Sequence, residues 1–239
     1  MAESVPNAAA SSEDFEFEAL REAGNYRRAL IREFCEFLKG DVIEIGAGIG
    51  QITEHLLELP DIGRLISVEP DPTLSRRHRE QFPQHALYEG TIVDVPPAPG
   101  WDAILSINVL EHIEHDAEEL ARYAALLRVR QGHFCVLVPA RPEIYAPMDK
   151  DFGHFRRYTR PELRGKLEGA GFEIVRLCYF NFVGYFAWWL NFKVLKKRVF
   201  EPGKVRFYDR MIFPTVHFLE STILRPPFGQ SLIAVARAK

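Results

Sequence analysis

Short apolar, β-rich runs alternate along the chain with longer stretches in which apolar positions recur every three or four residues. The short runs are DVIEI (41–45), RLISVE (64–69), HALYE (85–89), DAILSIN (102–108), HFCVLVP (133–139), FEIVRLCYF (172–180) and SLIAVAR (231–237). Helical spacing appears between them in GQITEHLLEL, with a helix expected to begin near Gln51, and in DPTLSRRHREQF and HDAEELARYAALLRVR. Near-continuous apolar strands separated by helices indicate a mostly parallel sheet covered on both faces, so the expected class is doubly wound α/β. A further helix opens at Arg160, with Thr159 as N-cap and Pro161 near its first position, and stops at Gly171. About 50 residues separate the sixth and seventh strands, far more than a hairpin needs, so residues 181–229 read as an insertion.

Composition narrows the class. In 239 residues, 47% are hydrophobic and 26% charged, which fits a soluble globular chain and disfavours disorder. Residues 1–24 read as a tail with the start of the first helix, and 25–239 as a single domain. The N-terminal MAESVPNAAASSEDFEFEAL has neither a basic nor an apolar signal region, so a cytoplasmic location is expected. The net charge of −3 offers no broad positive field for a nucleic-acid partner. Cys35, Cys135 and Cys178 are widely spaced and odd in number; they read as free thiols in a reducing compartment, and their spacing predicts no metal site.

The first strand runs into Glu44-Ile45-Gly46-Ala47-Gly48-Ile49-Gly50. Glycines there let the backbone approach a small ligand at the carboxyl edge of the sheet. A dinucleotide fingerprint would need its third glycine at position 51, which is Gln51. Glu69 closes the second strand, where a carboxylate can accept both hydroxyls of an adenosine ribose.

These residues resemble the class I S-adenosylmethionine-dependent methyltransferases, within them the small-molecule group called type 11 or 12. VIEIGAGIGQIT, SVEPDP, INVLEHIEHD and VPARPEIYAPMDKDFGHFRRYTRPEL look like that group's successive motifs, and the likeness extends over about residues 25–236. It implies a seven-stranded Rossmann-like sheet with the last strand antiparallel, and S-adenosyl-L-methionine as cofactor. It implies further that Glu44, Gly46 and Gly48 hold the methionine moiety, that Glu69 binds ribose, and that Thr91 and Ile92 flank adenine. Asn108 would contact the cofactor and Tyr26 fold over it, with Ala47, Pro70 and Val109 completing the lining. The family commonly has Gly-Asp after the third strand; here the pair is Gly90-Thr91, which leaves the adenine amine to Asp94 or to no side chain.

Methyl transfer needs an aligned acceptor and a dry site, and a hydroxyl acceptor needs a base. His112, after the fourth strand, and His154, in the loop after the fifth, are the candidates for that catalytic role. Arg156, Arg157 and Arg160 flank the same loop; pairing with Asp149 and Asp151 to order it is the favoured reading, binding of an anionic acceptor group the other. MDKDFGHF, with Gly153 as hinge, reads as part of a lid.

Residues 178–228 hold 14 of the 29 aromatic residues, so the insertion is apolar far beyond its share. With Lys193, Lys196, Lys197 and Arg198 along the same strip, segment 182–198 reads as a peripheral membrane contact, as a lid over a bulky apolar acceptor, or as packing against the sheet or a homodimer partner. The expected activity is methylation of a small apolar, lipid-like, natural-product or glycan-linked acceptor, at a hydroxyl. N- or C-methylation and a catalytically silent cofactor-binding protein are the alternatives. A nucleic-acid methyltransferase would carry an Asn- or Asp-Pro-Pro-aromatic turn where this chain has Ile107-Asn108-Val109-Leu110.

Overall fold

The computed structural model describes residues 22–95, 98–198, 201–224 and 226–239. The tail expected over 1–24 lies almost wholly outside the described residues; the first described helix, α1, is Gly24–Phe34. The strands are β1 (Gly40–Ile45), β2 (Ile62–Glu69), β3 (Ala86–Glu89), β4 (Ala103–Ile107), β5 (His133–Pro139), β6 (Phe172–Phe180) and β7 (Ser231–Ala238). Between them come α2 (Thr53–Leu56), α3 (Pro72–Gln81), α4 (Asp116–Arg128), α5 (Pro147–Asp151) and α6 (Arg160–Gly169).

The sheet order is β3-β2-β1-β4-β5-β7-β6, and β7 is antiparallel to both β5 and β6. All the other pairings are parallel. The order reverses between β1 and β4, which opens a crevice beyond their carboxyl ends, the usual ligand position of an open α/β sheet. The glycine loop follows β1 and Asn108 follows β4, so both stand at that crevice.

Each central strand buries both faces. From β1, Ile43 and Ile45 pack with Leu120, Tyr123 and Leu127 of α4 and Leu163 and Leu167 of α6. Val42 points the other way, toward Leu30, Ile31 and Phe34 of α1. Burying both faces explains why the strands read as unbroken apolar runs.

Helix ends follow local chemistry. The Asp71 carboxylate accepts from the N–H groups of Thr73 and Leu74, with Pro72 next in line, and so starts α3. At α6 the Thr159 hydroxyl accepts from the Glu162 N–H at 3.2 Å. One expected helix is much shorter: where the sequence suggests a start near Gln51, α2 covers only Thr53–Leu56. Gly46, Gly48 and Gly50 all have positive φ, so the chain turns three times before it can coil.

The insertion is helical: α7 (Phe182–Trp188) continues as a π-helical segment, Trp189–Val194, and α8 (Pro202–Phe207) leads through Tyr208–Ile212 into α9 (Phe213–Leu219). Trp188 and Phe192 bury themselves against Ile144, Met148 and Phe152 of the loop after β5, forming a small separate core. The three cysteines are free thiols, Cys35 exposed and Cys135 buried.

Candidate active site

The glycine loop is held by what lies above and below it. Gly46 has φ +70°, and a side chain there would run into Val109, so glycine lets the β1 and β4 loops touch. The Gly48 N–H donates to Glu69 Oε2 at 2.8 Å, and the Asp71 N–H donates to Oε1 at 2.9 Å. Glu69 is buried, and as a carboxylate it offers acceptors only. The adjacent Pro70 is exposed, and Ala47 is buried within the glycine loop.

Glu44 points beneath the loop, into the sheet. Its Oε2 accepts from the hydroxyls of Thr53 and Ser67, each at 2.6 Å. With those hydrogens engaged, His78 Nε2 (3.0 Å from Thr53 Oγ1) and His85 Nε2 (2.8 Å from Ser67 Oγ) can only donate. Burial raises the Glu44 pKa to about 7, despite the two hydroxyl donors. A raised folded-state value contributes stability fully present below the ordinary 4.5 and lost as pH rises through about 7. Glu44→Gln keeps an acceptor and removes the titration. In the cofactor-free protein it is expected to abolish a descent of roughly 2–3 kcal/mol over that window, leaving the variant more stable than the parent above pH 7. Denaturant titrations across the window check this; parallel profiles would contradict it.

On the far side of the crevice, Thr91 and Ile92 begin a 3-10 turn after β3. The Thr91 N–H donates to Asp94 Oδ2 at 2.7 Å, so that oxygen of Asp94 serves the turn. Asn108 takes a left-handed conformation, φ 52°, and its N–H donates to the Leu137 carbonyl at 3.0 Å, which sets it at the mouth of β4 and β5.

Tyr26 is fixed by the insertion. The buried Asp209 accepts from the N–H groups of Asn25 (2.9 Å) and Tyr26 (2.8 Å), a carboxylate at the first turn of α1. The Tyr26 ring packs against Phe180 and Phe213, and burial pushes its hydroxyl pKa up. Glu220 plays the matching part at the start of α7, accepting from the N–H groups of Asn181 and Phe182. Neither acid was anticipated from the sequence, because each acts on backbone far away in the chain.

A cavity of about 280 Å³ lies between these parts, lined among others by Tyr26, Asn108, Phe152, His154, Trp188 and Phe192. His154 and Arg157 reach it from the β5 loop, and both are organised by Asp149. Asp149 Oδ1 receives Arg157 Nε at 2.7 Å and lies 3.1 Å from His154 Nδ1, while Oδ2 accepts from the Ala146 N–H at 2.8 Å. A hydrogen on Nδ1 is therefore the tautomer the carboxylate selects, which leaves His154 Nε2 with a lone pair. Arg157 also lies 4.4 Å over the Trp188 ring, tying the loop after β5 to the insertion, and burial lowers its pKa. Asp149→Ala would strand this buried guanidinium; a loss of about 3–5 kcal/mol in urea unfolding is expected.

Arg156 and Asp151 take different partners from those expected, and Arg160 takes neither aspartate. Arg156 pairs with Asp116 at 2.8 Å, Asp151 meets Arg198 of the insertion at 3.4 Å, and Arg160 stands exposed at the start of α6. His112 stands edge-on to His154, ring centroids 4.7 Å apart, but is not part of the cavity lining. Although His112 is exposed at the surface, desolvation by the groups packed around its ring, and then His154, lower its pKa to about 4. Glu111, His112 and His154 bring one ligand-capable atom each within 4.8 Å of one another, a grouping that no local spacing in the sequence reveals.

The family model described as a methyltransferase domain matches residues 18–177. The chain belongs to this methyltransferase family. A solved S-adenosylmethionine-dependent methyltransferase from Mesorhizobium loti is 16% identical, with a TM-score of 0.62 over 90% of this chain and 99% of that one. Among curated proteins, trans-aconitate 2-methyltransferase of Rhodopseudomonas palustris (strain HaA2) is 28% identical over 108 residues, 45% of this chain and 41% of its own length. Ribosomal RNA small subunit methyltransferase A of Chlorobaculum parvum (strain DSM 263 / NCIMB 8327) is 37% identical over 76 residues, 31% of this chain and 27% of its own. These matches thus span well under half the length of either curated relative. Like the Mesorhizobium loti protein, this member of the methyltransferase family has the class I fold. The residues at the crevice are of a kind that would hold S-adenosylmethionine: the Glu69 carboxylate at the end of β2 stands beside a loop that only glycine can bring close.

Proposed function

We propose that this methyltransferase acts on the hydroxyl of a small apolar or lipid-like acceptor held in the cavity between the β5 loop and the insertion. The observation that carries the reading is the pairing of an aromatic-walled cavity, with Phe152, Trp188 and Phe192 in its lining, with a single oriented imidazole, His154.

In this reading Glu69 binds the ribose hydroxyls, Gly46, Ala47 and Gly48 follow the methionine chain with Glu44 beneath them, and Pro70, Thr91 and Ile92 border the adenine. Tyr26, Asn108 and Val109 bound the reacting end. When bound, S-adenosylmethionine supplies an electrophilic methyl group on a sulfonium. His154 Nε2, buried and 4.0 Å from Glu111 Oε1, would take the hydroxyl proton as the acceptor oxygen bonds to the methyl carbon and that carbon's bond to sulfur breaks, which leaves the cofactor as a neutral thioether. Asp149 holds the imidazole in the required tautomer and neutralises Arg157, so no uncompensated cation from that pair faces the sulfonium. Phe152 and Trp188 exclude water. His112, with a pKa near 4, is a poor proton acceptor at neutral pH and assists by packing against His154.

A panel assay tests the acceptor class. Methyl transfer to apolar phenols or prenyl alcohols is expected, with none to trans-aconitate or ribosomal RNA; transfer to either of those instead would overturn it. Turnover should survive chelation. Loss that a divalent cation restores would assign Glu111, His112 and His154 to a metal rather than to proton transfer. Among the described residues no helix is long and apolar enough to cross a membrane, and a peripheral site of action belongs to the same reading.

A further inference from the structure

The inner and outer faces of the insertion differ in a way the cavity does not explain. In α7 and its π-helical continuation, Gly184, Trp188 and Phe192 turn inward at four-residue intervals. Phe186, Trp189, Leu190 and Val194 turn outward, and Trp189 is 45% exposed. The same inversion recurs in the second arm. Asp209 and Phe213 are buried there, while Phe207, Met211 and Phe218 stand outward at helical spacings, with Met211 66% exposed. Large apolar side chains repeated on the outer side of two helical arms are not ordinary surface and call for an apolar phase to receive them.

Charge identifies that phase. Residues 182–224 contain seven lysines and arginines and three acids. Asp209 and Glu220 are buried and accept from backbone N–H groups, while Glu201 pairs with Lys197 and Lys204, Asp151 with Arg198 and Glu22 with Arg206; Lys196 and Arg210 stand exposed with no ion pair among the described residues. The chain as a whole is net negative, which makes this segment a local positive region rather than part of a general trend. A two-fold contact between copies would set these cations against themselves, which disfavours a second chain as the occupant. An anionic bilayer satisfies both features: it receives Trp, Phe and Leu at the interface and attracts Lys and Arg to its headgroups.

We propose that the outward faces of the insertion dock on an anionic lipid bilayer. Lys197, Lys204 and Val205 also line the cavity, so the docked segment would sit at its entrance. Only that last step, entry of the acceptor from the membrane, rests on the proposed acceptor class; docking itself stands independently.

Flotation of the whole protein with phosphatidylcholine vesicles, with and without phosphatidylglycerol, is the test. Binding is expected only to the anionic vesicles and should weaken with added salt. Trp189→Ser combined with Leu190→Ser, and separately Lys196→Gln combined with Arg210→Gln, should each reduce it about tenfold or more. All four positions are exposed, and unchanged S-adenosylmethionine binding by calorimetry would certify folding. A third pair, Phe207→Ser with Met211→Ser, tests the second arm in the same way. Equal binding to neutral and anionic vesicles, no binding to either, or a dimer that Trp189→Ser converts to monomer would overturn the proposal. Loss of methyl transfer with vesicle binding intact would count against the acceptor reading alone.

Discussion

Glu69→Ala is expected to weaken S-adenosylmethionine binding by about 100-fold or more, measured by titration calorimetry, while the fold survives. The carboxylate closes β2 beside the glycine loop, and two hydroxyl hydrogen bonds to an ionised group are worth roughly 3 kcal/mol or more together. Two further losses add to this. The Gly48 N–H, 2.8 Å from Oε2, and the Asp71 N–H, 2.9 Å from Oε1, lose their acceptor, so that the loop is tied to the end of β2 only through the Gly46 and Ala47 N–H groups on the Val68 carbonyl. Glu69→Gln should fall between the variant and the parent, because a neutral amide retains an acceptor without the charge. Parental affinity in Glu69→Ala would mean that the sugar is held elsewhere.

The second large effect is expected on turnover rather than binding. His154→Ala should lower kcat by about 100-fold to 10,000-fold, the span typical of general-base loss, and leave the cofactor dissociation constant unchanged. The corresponding change at His112 should cost less than about tenfold, since its low pKa makes it a poor base and it lies outside the cavity lining. An equal and severe loss in both variants would favour a shared function of the two imidazoles, and chelation would then decide between metal and proton transfer. Normal turnover in both would leave positioning as the source of the rate.

The fold was largely legible because its determinants are local. Each of the seven strands was visible as an apolar run, and α6 announced itself through Thr159, Pro161 and Gly171. The exception among the early elements was α2, which starts late, after three positive-φ glycines that a hydrophobic period does not register, and ends at Leu56. In the site, Glu69 and the glycines could be read because a strand end and a turn place them. His154 and Asp149 lie five residues apart, close enough to be noticed, but that one carboxylate oxygen would serve both His154 and Arg157 depends on how the loop folds back over β5. Asp209 and Glu220 were hidden for a stronger reason: their partners are Tyr26, 183 residues away, and Phe182, 38 residues away. The exposed face of the insertion was equally obscure, since a helical period cannot say which side meets the protein.

A crystal structure with S-adenosylhomocysteine bound tests the central claim most directly. Both ribose hydroxyls are expected on the Glu69 carboxylate and the sulfur opening into the cavity beside His154, with Tyr26 and Asn108 at its edge. A ligand whose sulfur points away from that cavity, or whose sugar is bound by other residues, would contradict it.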